Sequence, residues 1–311
     1  MDRERIERTS EQAWLQQRAK DVTSTEVSAL FGLSPYMTEF ELWHRKANAE
    51  IVRIQENERM TWGKRLEAVI AQGVAADEGW NIQPANYYMR IPQLLMGSSF
   101  DYSLVAGGLI EVKNVDAVQF AQKWIDDGTT LEAPEHIELQ MQHQMEVADE
   151  PFCILIALVG GNRVRWVRRE RDAEIGATLR ERVNAFWSSV AAGKAPSADY
   201  TRDADFVIKR LHANANDGEV IEADGELTDL IRQYEFVSRE AASMEELKQA
   251  TRADLLARIG TASKVKSDVG IISCGMTKPS QGTLVTQEMV GTYVGARQGY
   301  RNFRFTPKKG D

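Results

Sequence analysis

The chain has 311 residues, is 43% hydrophobic and carries a formal net charge of −8. That length and apolar content support a substantial core, and the negative total excludes a general polyanion-coating protein while leaving room for a local basic groove. No apolar run approaches a membrane span, and the opening MDRERIERTS lacks the apolar stretch of a secretory signal, so a cytoplasmic protein with no membrane partner is expected.

In chain order, residues 11–47 read as helices: EQAWLQQRAK, then STEVSALFGLS with a capping serine or threonine before Val27, Leu30 and Phe31, then TEFELWHRKA after Pro35. TWGKRLEAVIAQGVAADEGW predicts a longer helix whose inward stripe is Trp62, Leu66, Val69, Ile70 and Gly73, with Glu67 at its margin. YYMRIPQ reads as a strand. In SSFDYSLVAGGLIEVKNV, period-two alternation sets Ser99, Asp101 and Ser103 on one side and Phe100, Tyr102 and Leu104 on the other. Gly107 and Gly108 then make a turn, and Glu111 and Lys113 share a face opposite Ile110 and Val112. PEHIELQMQHQMEVADE is a helix with Ile137, Met141, Met145 and Ala148 on one stripe, and Gln140 and Gln144, one turn apart, beside it. FCILIALVGGNRVRWVRRE reads as a hairpin with a buried, central first strand. The next helix repeats Ile175, Leu179, Val183, Phe186 and Val190, and Gly193 and Pro196 stop it.

Past Pro196 the chain turns polar and acidic, which divides it into a core at 1–195 and an extension at 196–311. ELTDLIRQYEFVSREAASMEELKQATRADLLARI spaces its apolar residues for a long helix or helical hairpin with coiled-coil packing, and SDVGIISCGM, GTLVTQ and YRNFRFTP read as short strands. RVRWVRRER and ARQGYRNFRFTPKK interleave arginine and lysine with aromatics, the pattern of a nucleic-acid groove, although a polar strand face and a frayed tail are the plainer readings.

The hairpin allows Asp101, Glu111 and Lys113 to converge. Two neighbouring carboxylates repel unless a cation or a proton lies between them, and oxygen ligands suit Mg²⁺, with Mn²⁺ as the alternative. A solvated charged face is the competing reading. Two cysteines, Cys153 and Cys274, and four histidines without metal spacing build neither an iron–sulfur cluster nor a zinc site.

The succession of helices, acid-bearing helix, Asp strand, Glu-x-Lys strand, Gln-bearing helix and buried hairpin resembles the PD-(D/E)XK nuclease superfamily. Within it, residues 10–190 resemble the YqaJ-type viral recombinases, the family of the phage lambda exonuclease. The likeness rests on WLQQR and DVTSTEV, which give Trp14, Arg18, Thr23, Thr25 and Glu26, then on GLSPYMTEFELW, on Glu67 in GKRLEAVI, on Asp101, Glu111 and Lys113, and on Gln140 and Gln142 in LQMQHQ. Many relatives carry Ala-Ser where this chain has Ser24 and Thr25.

The resemblance implies an α/β (α+β) fold, a mixed β-sheet flanked by helices, followed by a C-terminal extension of helix and short strands. It implies a metal-dependent 5′ to 3′ exonuclease acting on duplex DNA ends, leaving a 3′ single strand for a single-strand annealing protein. Asp101, Glu111, the Val112 carbonyl and Glu67 would hold Mg²⁺, Lys113 would position or deprotonate water, and Gln140 would orient the lysine or a phosphate. Arg18, Thr25 and Ser99 would capture the 5′-phosphate. A homo-oligomeric, trimer-like ring around DNA is implied too. An endonuclease of the same superfamily, or a non-catalytic DNA-end adaptor acting through the helix at 226–260, are the alternatives.

Overall fold

The computed structural model describes residues 1–51, 57–216 and 218–276. Its helices are α1 (Glu11–Lys20), α2 (Glu39–Ala47), α3 (Glu58–Glu78), α4 (Ala117–Lys123), α5 (Glu135–Ala148), α6 (Ala173–Ala191), α7 (Tyr200–Phe206) and α8 (Gly225–Ile259). Its strands are β1 (Glu4–Glu7), β2 (Val22–Thr23), β3 (Ile82–Pro84), β4 (Tyr87–Ile91), β5 (Met96–Ser99), β6 (Tyr102–Leu104), β7 (Leu109–Val115), β8 (Ile125–Asp126), β9 (Leu131–Glu132), β10 (Phe152–Val159), β11 (Arg163–Glu170), β12 (Lys264–Ser267) and β13 (Gly270–Ser273). Contacts group the chain into two units, Met1–Leu211 and His212–Asp311. The first unit therefore runs past residue 195 and takes in α7, whose buried Asp203 accepts from Thr38 at 2.5 Å.

Two mixed sheets organise the first unit, as an α/β chain requires. One has the order β1-β4-β5-β2 and the other β11-β10-β7-β6-β3. The β10–β11 hairpin pairs Phe152 with Glu170 through Val159 with Arg163, and β10 lies between β11 and β7, parallel to β7. Its run FCILIALV is buried almost throughout because sheet and helices cover both faces. At the β6–β7 turn Gly108 has φ +100°, and a Cβ there would stand 2.3 Å from the Phe152 ring, so only glycine serves.

The predicted strand through residues 98–104 is two strands. β5 ends at Ser99 in the four-stranded sheet and β6 begins at Tyr102 in the five-stranded one, so the chain changes sheets at Phe100 and Asp101. Helix α5 is buried on nearly every side, from Ile137 through Val147, because it is packed among both sheets and α6. Met141 and Met145 meet Leu109, Cys153 and Leu155, while Val147 joins Leu179, Val183 and Phe186 of α6.

The inward face of α3 differs from the expected stripe. Ile70, Ala71 and Val74 are buried against Tyr102, Ile110, Ile154 and Ile156, with Leu66 packed at the edge, and Ala75 is buried too. Trp62, Val69 and Gly73 face outward. Small alanines let the helix lie close on the sheet, and the burial periodicity extends back to Glu67. The segment after Thr25 is a short 3₁₀ helix, Val27–Phe31, closed by Gly32 at φ 70°.

Within the second unit, α8 is one continuous helix with none of its residues buried, and β12 pairs antiparallel with β13. GTLVTQ, YRNFRFTP and the basic ARQGYRNFRFTPKK lie outside the described residues. No described helix is long and apolar enough to cross a membrane.

Candidate active site

The site is built where the two sheets exchange the chain. Backbone pairing of Tyr102 with Ile110 places Asp101 beside the Glu111 end of β7. The Val112 amide donates to Asp101 Oδ2 at 2.8 Å, and the Ala85 amide donates to the Asp101 carbonyl at 3.1 Å. Glu111 is 3% exposed. Its Oε1 accepts from Lys113 Nζ at 2.5 Å and from Gln140 Nε2 at 2.6 Å, and its Oε2 accepts from Gln144 Nε2 at 2.7 Å. Lys113 also donates to Gln140 Oε1 at 3.2 Å. Glu67 reaches the same acids from α3, near enough for the charge of Glu111 to act on it.

The electrostatics are those of a crowded, dry carboxylate cluster. Burial first, then the charges of Glu111 and Glu67, push Asp101 well above the usual carboxylate range, against the opposing pull of Lys113 and the Val112 amide. Burial and then Glu111 raise Glu67. Burial alone would lower Lys113, but Glu111 and Asp101 overcome it and hold the ammonium above its ordinary value. Beneath them Cys153 is fully buried, and burial followed by Glu111 raises its thiol, which makes it inert.

All the acidic donors are hard oxygens, which fit a divalent cation such as Mg²⁺ in chemistry, and a cation is what would relieve Asp101 and Glu67, which burial and the Glu111 charge raise. The side chains as they stand are closed upon themselves: Glu111 is engaged by Lys113, Gln140 and Gln144, and among the described residues no group of three His, Cys, Asp or Glu is spaced to hold an ion. Gln144 Oε1, buried beside the cluster, has no hydrogen-bond partner.

A second cluster gathers around Trp14. Its indole donates to Ser99 Oγ at 2.7 Å, and the guanidinium carbons of Arg8 and Arg18 lie 4.5 and 4.8 Å from its ring. Arg18 donates to Thr25 Oγ1 at 3.0 Å and Thr23 Oγ1 at 3.4 Å. Arg18, Thr25 and Ser99 are thus brought to one place, two residues along the chain from Asp101. Below them Lys46, 7% exposed, pairs with Glu26 at 2.8 Å and donates to the carbonyls of Arg18 at 2.8 Å and Asp21 at 2.7 Å. Glu26 also accepts from the Thr23 amide and hydroxyl, at 3.0 and 2.8 Å. Its place is underneath the cluster, as a fixture of the turn.

Two glutamines trade places relative to the sequence pattern. Gln142 turns away from the acids, donating to the Glu170 carbonyl at 3.0 Å and accepting from the Asp172 amide at 2.9 Å. Gln144 instead meets Glu111, a role its spacing of one turn from Gln140 signals. The basic strand is neutralised. Arg163 and Arg165 pair with Asp126, Arg168 with Glu170, Arg169 with Glu138, and Arg171 with Glu146 and Asp149.

The mixed α/β core thus sets two acids and a lysine on one hairpin, with a third acid on α3 and the glutamines of α5 beside them. Residues 13–151 match the family model described as YqaJ-like viral recombinase domain. The chain is 25% identical over 241 residues, 76% of its length and 74% of the relative's, to the uncharacterized protein YqaJ of Bacillus subtilis (strain 168). Among solved structures it is similar to LHK-Exo, an alkaline exonuclease from Laribacter hongkongensis, in complex with dAMP, at 19% identity and TM-score 0.47 over 58% of this chain and 93% of that one. It is also similar to a phage related exonuclease from Haemophilus somnus 129PT, at 13% identity and TM-score 0.44 over 55% of this chain and 94% of that one.

Proposed function

We propose that the protein is a metal-dependent 5′ to 3′ exonuclease that degrades one strand of linear duplex DNA and leaves a 3′ overhang for recombination by strand annealing. The observation that carries this reading is the convergence of Asp101, Glu111 and Lys113 on one hairpin, with Glu67 beside them and Gln140 bridging Lys113 to Glu111. Asp101, Glu111, the Val112 carbonyl and Glu67 would hold Mg²⁺, with Mn²⁺ a substitute. Bound there, such an ion would supply charge neutralisation at the phosphoryl oxygens and a lowered pKa for water.

The protein's own groups do the positioning. Lys113 is an ammonium while its acids are ionised, so it donates to the attacking water or the phosphate. As the free amine, Lys113 would take the proton of the attacking water. Gln140, whose carbonyl accepts from Lys113 and whose amide donates to Glu111, keeps the two in register. Arg18 and Thr25, with Ser99 across Trp14, bind the terminal 5′-phosphate through charge-assisted hydrogen bonds. The family likeness extends the reading to a cytoplasmic protein working with a single-strand annealing partner, as a homo-oligomeric ring about DNA.

The test is nucleotide release from linear duplex in Mg²⁺ or EDTA, with phosphorylated ends, bare ends and a closed circle. Release from linear DNA alone, requiring metal and fastest with 5′-phosphate, is expected. Lys113→Ala should abolish release and keep DNA binding. Cutting of the closed circle would make the protein an endonuclease, and binding without cleavage in any metal would make it an adaptor.

A further inference from the structure

The face of α5 that carries Gln140 continues outward. Gln144, Gln140 and His136 follow at intervals of four and so stand one above another. Gln144 is 1% exposed, Gln140 is 7% exposed and His136 is half-buried, so the row leads from the acids to the surface. At its outer end the Tyr36 ring stands edge-on to His136, 5.9 Å away and 84° apart, and is 77% exposed.

An exposed ring is ordinary on a loose loop, but this loop is held. Buried Ser34 accepts the amides of Tyr36 and Met37 on its hydroxyl, at 3.2 and 3.3 Å, and the Arg202 guanidinium on its carbonyl at 2.5 Å. Two residues beyond Tyr36, Thr38 donates to Asp203 at 2.5 Å. Arg202 and Asp203 of α7 thus fix both flanks of a side chain that the core does not use. A ring presented on a rigid support beside a site is pre-organised for a ligand. His136 is depressed by burial and then by Lys113 and Lys123, so at neutral pH it offers an uncharged imidazole, suited to a base or sugar rather than a phosphate.

We propose that Tyr36 and His136 form a stacking subsite for the nucleobase next to the scissile phosphodiester. This rests on the nuclease reading above. The experiment measures nucleotide release by wild type, Tyr36→Ala, Tyr36→Phe and His136→Ala on duplexes with one abasic residue at the first, second or third 5′ position, and on intact duplex. Losing a base–aromatic stack should raise KM on intact ends on the order of tenfold for Tyr36→Ala, with kcat changed less, and Tyr36→Phe should restore most of it. The substrate abasic at the contacted position should erase the difference between wild type and Tyr36→Ala. If Tyr36→Ala weakens intact and abasic ends alike at every position, or leaves KM unchanged, the subsite is overturned while the nuclease reading stands. If wild type releases nothing from intact ends in Mg²⁺ or Mn²⁺, the nuclease reading itself falls, and the subsite with it.

Discussion

Replacing Lys46 by methionine keeps the stem's volume and removes its ammonium. Three acceptors then lose their donor: the Glu26 carboxylate and the carbonyls of Arg18 and Asp21. Glu26 is left as a mostly buried charge with only Arg18 to oppose it, and breaking a buried pair from one side costs roughly 3–5 kcal/mol. For a unit of this size 1 kcal/mol moves Tm by about 2–4 °C, so Lys46→Met should melt roughly 6–20 °C lower near neutral pH. The pH dependence follows from sign. Burial would raise Glu26 above its ordinary 4.5, but Lys46 and Arg18 hold it below, so in the wild type its stabilising contribution is complete above that value and is lost as pH falls through the native one. Without Lys46, burial dominates and Glu26 rises, so the deficit of the variant should be largest at neutral pH and shrink on acidification. Thermal denaturation at about pH 7.5 and about pH 5 measures both. A Tm within about 2 °C of wild type at neutral pH, or a deficit that widens in acid, would refute the assigned role of the pair. Because Lys46 also holds the C-terminal carbonyl of α1, the variant should lose its preference for 5′-phosphorylated ends.

Gly97→Ala would place a Cβ 2.0 Å from Tyr88 Oη and 2.7 Å from Asp21 Oδ2, both buried, and should lower the unfolding free energy by about 1–3 kcal/mol, seen as a lower urea midpoint with m unchanged. An unshifted midpoint would mean the strand yields easily there. Asp101→Asn should abolish nucleotide release yet raise Tm in EDTA at neutral pH, on the order of 1 kcal/mol, since it removes a carboxylate that burial and Glu111 destabilise. That gain should shrink as pH falls below the raised native value of Asp101 and be gone only near the ordinary carboxylate value of 3.8, and a lower Tm at neutral pH would contradict the charge crowding.

The convergence of Asp101, Glu111 and Lys113 is legible in the sequence because alternation along two short strands and a Gly-Gly turn are local facts. That Phe100 and Asp101 bridge two sheets is not, since alternation says which way a side chain points and nothing about which sheet receives it. Trp62 and Val69 look inward by type, but α3 lies so close on β7 and β10 that alanines win the face. The arginines of RVRWVRRER look like a groove until Asp126, Glu138, Glu146 and Asp149, remote in sequence, arrive to pair with them. Gln142 and Gln144 differ by a single step of the helix, and only the position of Glu111 decides which serves the acids.

The change of sheets between Ser99 and Asp101 has a mechanical meaning. Two residues of chain span no more than about 7 Å, and here that span is covalent. Sheets that share a boundary can tilt and breathe against one another, but the hydroxyl held by Trp14 and the carboxylate held by the Val112 amide are tethered through Phe100, whose ring is buried. The chain therefore carries a built-in calliper: the gap between the Ser99 hydroxyl and the Asp101 carboxylate cannot open with thermal motion of the layers.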